Sequence, residues 1–165
     1  MIHDPYTKSE ISKKQLWQLI VAVFATGEGS GLALMAMRPQ SAWFTQLVLS
    51  PVHPPTWLFG LIWTTLYVLM GSSFVISLLH PNVTKSIHIG YIINIFLGAL
   101  WSPAFFLLEN PTLAILLAIG TIINAVILFP KVHKISKEAA FLMIPYIIWL
   151  IFATYLNAAV LFLNK

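Results

Sequence analysis

Apolar residues fill five windows of the chain, roughly 16–37, 56–79, 86–108, 112–130 and 139–163, and short polar segments separate them. Each window has the length of about 20 residues that a helix needs to cross a bilayer. The windows are about twice as long as a barrel strand and do not alternate apolar with polar, so they predict helices. In lipid, a helix satisfies its own backbone polar groups. The first window holds one acid, Glu28, and the third holds His88 near its start; the other three carry no acidic or basic residue. The connections, 38–55, 80–85, 109–111 and 131–138, are short enough to make sequence neighbours antiparallel neighbours. The expected fold is all-α, a five-transmembrane-helix bundle forming one domain over residues 1–165.

Five spans place the termini on opposite sides. Lys8, Lys13, Lys14, Lys85, Lys131, Lys134 and Lys137 fall on the N-terminal side, against Arg38 and Lys165 on the other. Seven against two puts the N-terminus inside and segment 38–55 outside. Composition agrees with an integral, multi-pass membrane protein: 59% of residues are hydrophobic and 8% charged, where a soluble domain carries about 25% charged residues. The net charge of +4 is spread over short loops, which argues against a nucleic-acid partner. With no cysteine there is no disulfide framework, thiolate nucleophile or cysteine metal site. The opening "MIHDPYTKSEISKKQ" lacks the apolar core of a signal peptide, so Met1 is expected to stay on the chain.

The helical spacings gather polar and aromatic side chains into stripes. Trp63, Tyr67 and Met70 share one face, as do Asn94, Gly98, Trp101 and Phe105, and Trp149, Ala153 and Asn157. At a rise of about 1.5 Å per residue, Trp63, Trp101 and Asn157 lie at about 10 Å below the outer surface, and Asn94 and Trp149 lie near mid-membrane. Trp17, Trp43 and Trp57 suit an interfacial belt. The deeper tryptophans admit two readings: bundle packing held by interhelical hydrogen bonds, or an aromatic-walled pocket for a flat apolar ligand opening toward 38–55.

Other polar features are weaker signals. Glu28 lies in "GEGSG", where Gly27 and Gly31 favour close helix approach and a protonated or hydrogen-bonded acid. A proton relay would need a second buried charge, and the windows supply none. Pro103 and Pro145 each remove an internal helix bond, freeing the Ala99 and Phe141 carbonyls. His3, His53, His80, His88 and His133 lie in or near loops without metal-ligand spacing. No HExxH, GxSxG, P-loop or GxGxxG motif occurs, so no catalytic residue is assigned. "SPVHPPTW" (50–57) is a stiff, proline-rich connection that reads as a lid over the pocket mouth.

Three blocks, "WFTQLVLSPVHPPTWLFGLIWTTLYVLMG" (43–71), "LGALWSPAFF" (97–106) and "PYIIWLIFATYLN" (145–157), resemble the TspO/MBR family of tryptophan-rich sensory proteins and translocator proteins. The resemblance implies a five-helix membrane protein, usually a homodimer, that binds tetrapyrroles such as protoporphyrin IX and haem, or sterols. It requires no cofactor, the porphyrin being ligand. Ligand-binding residues carried over by motif are Trp63, Tyr67, Trp149, Ala153 and Asn157, beside Asn94 and Trp101 from the stripes. Phe44, His53, Pro54, Pro55 and Trp57 would form the lid. A sensory, regulatory or transport role follows. The alternatives are light-dependent porphyrin breakdown using Trp63 and Trp149, or a regulatory membrane protein without transport or catalysis.

The chain departs from the family pattern at several points. Leu49, Ser50 and Val52 stand where Lys, Pro and Trp are usual; Gly98 replaces an Asn, and Phe44 a Tyr. The cholesterol motif fails, because after Tyr155 the next basic residue is Lys165. The spacing of Gly90, Asn94 and Gly98 suggests a dimer seam along that stripe.

Overall fold

The computed structural model describes residues 38–165. The expected first span, 16–37, with Trp17, Gly27, Glu28 and Gly31, lies outside the described residues. Within them the chain is all-helical: α1 (Ala42–Gln46), α2 (Thr56–Leu79), α3 (Lys85–Ser102), a π-helical turn (Pro103–Leu107), α4 (Pro111–His133) and α5 (Lys137–Leu163). Four of the helical segments are long and apolar enough to cross a membrane, the π turn completing the α3 span.

Local chemistry sets the ends. Ser41, Asn110 and Ser136 each cap a helix by accepting a backbone N–H, from Phe44 (3.2 Å), Leu113 (2.9 Å) and Ala139 (3.1 Å). Pro111 occupies the first turn of α4, where its missing N–H costs nothing. Glu109, at φ 49°, turns the chain sharply just before that cap. Three boundaries differ from the sequence expectation. The connection 38–55 contains α1; α4 runs on through Pro130 to His133; and α5 starts at Lys137, leaving only 134–136 between them. Lys131 and His133 are polar residues in a last helical turn, where cations are favoured, rather than loop residues.

Pro103 acts differently from a simple kink. It has no N–H to give the Ala99 carbonyl, and the helix widens beyond it: Leu108 N donates to the Pro103 carbonyl, five residues back, at 3.0 Å. The extra residue in this turn lets Ala104, Phe105 and Phe106 all face inward.

The long helices pack in the order α3, α4, α5, α2, while α2 and α3 make few contacts with each other. The expectation that sequence neighbours pack together thus holds for α3–α4 and α4–α5, and α2–α3 is the exception. Their shared contact is at the end away from segment 38–55, called the inner end below, as the end next to that segment is called outer. There Ser73 donates to the Ala139 carbonyl (2.7 Å), so the 2.6 Å contact between Ser73 and Tyr91 is donated by the tyrosine. Ser77 in turn donates to Tyr91 at 3.1 Å, and Phe74 stacks on the Tyr91 ring at 4.5 Å. Tyr91, Ala125, Val132, Ala139 and Met143 are completely buried here. Side chains such as Val68, Phe96, Leu116, Ile123 and Ile148 point outward, exposed, as lipid-facing residues do.

Asn94 and Gly98 face the bundle interior, whereas Gly90 borders the groove between α3 and α4 beside Leu128. A Cβ at Gly90 would come within 2.7 Å of Leu128 Cδ1, and at Gly98 within 3.7 Å of the Tyr146 hydroxyl. Of the stripe expected to form a dimer seam, Asn94 and Gly98 are engaged within the chain and Gly90 lies at an open groove.

Candidate functional site

In the half of the bundle next to segment 38–55, the space between α2 and α3 is a cavity that opens toward that segment. Phe59, Trp63 and Tyr67 of α2 form one wall at four-residue spacing, with Trp63 and Tyr67 stacked at 5.5 Å. Gly98, Trp101, Phe105 and Phe106 form another; Trp101 and Phe105 stack at 5.2 Å and 9°. Ala118 and Thr121 of α4, and Tyr146, Leu150, Ala153 and Asn157 of α5, complete it.

Segment 38–55 covers the mouth and is itself structured. Pro39, Phe44, Leu49 and His53 line the cavity. Trp43 packs edge-on against Phe105 (5.3 Å) and Phe44 against Phe106 (5.5 Å), which ties α1 to the π turn. His53 stacks on Phe59 at 5.1 Å and 12°. At the far side Val48 N donates to Asn164 Oδ1 (2.8 Å), and Asn164 Nδ2 donates back to the Val48 carbonyl (3.0 Å). This two-bond clasp fastens the segment to the end of α5.

The polar groups on the wall are few, and several are engaged within the chain. Thr121 and Thr154 return their hydroxyl hydrogens to the Leu117 and Leu150 carbonyls of their own helices. Asn157, 3% exposed, donates to the Pro111 carbonyl (3.3 Å), and its Oδ1 has no partner. A buried acceptor left open beside a cavity is the strongest polar anchor available to a ligand donor. Among the described residues no cluster of His, Asp or Glu is arranged to hold a metal.

Of the expected site residues, Trp63, Tyr67, Trp101, Ala153 and Asn157 line the cavity, with Phe44 and His53 from the cover. Two expected ligand contacts stand behind the wall. Asn94 is fully buried: its Nδ2 donates to the Thr121 carbonyl and to Asn124 Oδ1, both at 3.1 Å, and its Oδ1 accepts from the Tyr146 hydroxyl at 2.9 Å. It holds the tyrosine that forms the cavity floor. Trp149 packs edge-on against Phe59 (5.5 Å) and Trp63 (6.3 Å), its indole N–H buried and without an acceptor. Pro54, Pro55 and Trp57 are not on the wall, and Trp57 is 71% exposed, as suits a membrane interface. Met70 belongs to the core.

Tyr146, Phe59 and Phe106 are wall residues that the sequence reading missed. Tyr146, Leu150, Ala153 and Asn157 are spaced four, three and four apart, a helical face as regular as Trp149–Ala153–Asn157 and rotated slightly from it. Of the positions that depart from the family pattern, Leu49 and Gly98 are on the wall, Ser50 is buried and Val52 is 56% exposed.

Fold and site together define a helical membrane protein with an aromatic-walled internal cavity under a structured cover. Comparison with known proteins gives the finer class. The sequence profile of the TspO/MBR family matches residues 19–163. The chain is 33% identical over 146 residues to a tryptophan-rich protein TspO of Archaeoglobus fulgidus, covering 88% of this chain and 94% of that one. It is 32% identical over 130 residues to the tryptophan-rich protein TspO of Chlorobaculum tepidum (77% and 82% covered). A translocator protein of Bos taurus is 35% identical over 121 residues, 70% of each chain. The chain belongs to the TspO/MBR family.

Proposed function

We propose that this protein is a membrane receptor or carrier that takes a flat hydrophobic ligand, a tetrapyrrole of the protoporphyrin IX type, into the cavity between α2 and α3. The observation that carries this reading is the pair of stacked aromatic walls, Trp63–Tyr67 and Trp101–Phe105, around a volume with few polar groups. Flat conjugated rings gain from aromatic faces as well as from apolar burial. Asn157 Oδ1 would accept from a ligand donor, and His53 at the mouth would meet polar substituents. The span 16–37 would complete a five-helix bundle. The described ends put Lys85, Lys131, Lys134 and Lys137 opposite Arg38 and Lys165, which supports placing the covered mouth outside. A homodimer remains part of the proposal, through an outward face.

Titration of protoporphyrin IX against tryptophan fluorescence tests the reading. Saturable quenching that weakens in Trp63→Phe is expected; quenching that never saturates sinks it. The Trp63–Trp149 ring pair supports a second reading, light-dependent porphyrin oxidation. It predicts faster loss of illuminated, aerated porphyrin with the wild-type chain than with the Trp63→Phe, Trp149→Phe double variant, and equal rates reject it.

A further inference from the structure

Between α3 and α4, lined by none of the cavity's residues, lies a second, open depression. Gly90 makes it: with no side chain at 90, Leu128 leans across the helix pair and leaves a furrow beside it. Ile89, Ile93 and Ile127 line the furrow and are 55%, 43% and 54% exposed. Its polar groups are Lys131 and Ser86 at one end, and Asn124 seven residues from Lys131 along α4, about 10 Å deeper.

These groups present hydrogen-bond donors. Lys131 Nζ spends one of its three hydrogens on Ser86 Oγ, at 2.8 Å. Among the described residues it makes no ion pair. Because Ser86 accepts that bond, its own hydroxyl hydrogen is free to donate. Asn124 is oriented by its neighbour. The Thr121 carbonyl can only accept, so the Asn94 amide turns its NH2 that way, and Asn124 must offer its oxygen to the same NH2. The Asn124 NH2 is then the part left for the furrow. Lys85 and Lys134 stand exposed at the same end. A cation and a hydroxyl donor at the membrane boundary, an amide donor deeper, and an apolar furrow between them match one kind of molecule.

We propose that the α3–α4 furrow is a binding site for a single anionic phospholipid. Its phosphate sits at Lys131 and Ser86, an ester carbonyl meets Asn124, and one acyl chain lies along Gly90, Ile93 and Ile127. Basic pockets between membrane helices take anionic headgroups for the same electrostatic reason. The site is separate from the cavity, so it stands whether or not a tetrapyrrole binds.

Native mass spectrometry of the purified full chain, with phosphatidylglycerol and phosphatidylcholine of identical acyl chains, tests this. Phosphatidylglycerol should be retained as one tightly held lipid, preferred about fivefold, as one lysine contact near a charged headgroup provides. Lys131→Gln should abolish the preference, and Lys165→Gln, at the other end of the bundle, should leave it intact. Ile127→Trp, which fills the furrow from an exposed position, should lose both lipids without changing the unfolding temperature. Equal retention of the two lipids, or an unchanged preference in Lys131→Gln, overturns the proposal. So does complete release of the lipid by millimolar inorganic phosphate, which would make free anion the ligand. The chain has no cysteine, so Ile93→Cys reports cleanly on a protein seam. Efficient disulfide-linked dimers of that variant in membranes would assign the furrow to a second copy.

Discussion

The inner and outer halves of this bundle are built from equally apolar sequence and end in opposite states. In the inner half α2 and α3 meet through Ser73, Ser77 and Tyr91, every hydroxyl has a partner, and alanines let α4 and α5 close up. In the outer half the same two helices stand apart around a cavity, and Asn157 Oδ1 and the nearby Trp149 N–H are left unpaired. Where polar groups satisfy one another, the bundle is packed shut. Where stacked aromatic rings and an open acceptor border the cavity, the described helices leave the space that the proposed ligand would fill. Tyr146 joins the two regimes: its ring faces the cavity and its hydroxyl donates inward to Asn94.

The largest effect that would break this contrast is on stability. Tyr91→Ala removes a ring with 0% exposure and leaves the Ser77 hydroxyl without its acceptor, while Ser73 keeps its bond to the Ala139 carbonyl. It should cost about 4 kcal/mol, read as a fall in unfolding temperature in detergent. Trp63→Ala borders empty space and is only half-buried, so it should cost about 1–2 kcal/mol less than a filled-core deletion. Equal losses for the two variants would mean that the outer half is as tightly packed as the inner.

Ligand affinity should show the reverse order. Trp63→Ala removes one member of the α2 stack and should weaken protoporphyrin IX by about 30-fold, the usual scale for losing an aromatic anchor. A retained Kd would move the ligand out of the cavity.

A smaller effect sharpens the picture of the outer half. A Cβ at position 98 meets only the Tyr146 hydroxyl, at an ordinary 3.7 Å, so a side chain can begin there without displacing backbone. Gly98→Asn replaces a mid-helix glycine, so the fold should be unaffected or slightly firmer. It returns an amide to the wall where the family pattern has one, and should tighten porphyrin binding about fivefold, the worth of one hydrogen bond. An unchanged Kd would show that the glycine is not what sets affinity.

How much of this the sequence disclosed follows from what a lipid-facing helix hides. The four described spans were legible to within three residues at each end, because their lengths are set by the bilayer and their ends by polar residues and prolines. Which side of each helix faces inward was harder. A soluble helix advertises its buried face by contrast with a polar one, but here Ile148 and Leu150 are equally apolar, one exposed and one buried. The stripe Trp149–Ala153–Asn157 was read one step away from the true wall, Tyr146–Leu150–Ala153–Asn157, for that reason. Asn94 was correctly placed on the inward face of α3, yet a turn below the cavity, where only the partners on α4 and α5 reveal that it holds Tyr146. Pro103 announced a break without announcing that the break would be a widened turn aiming three consecutive residues inward.

The clasp between the cover and α5 had no local signal, since Val48 and Asn164 are 116 residues apart. It also yields the smallest expected effect. Both bonds are exposed, so Asn164→Ala should lower stability by less than about 1 kcal/mol. Its consequence belongs to the outer half alone: with Val48 released, segment 38–55 is held by Trp43, Phe44 and His53 through ring contacts. Stopped-flow displacement of protoporphyrin IX should show dissociation about threefold faster, while the association rate changes little. That outcome would make the cover a retaining element of the cavity. An equal rise in both rates would make it a gate that merely limits access. No change in either would leave the cover outside the ligand's path, and the mouth would then have to be sought between α2 and α3 themselves.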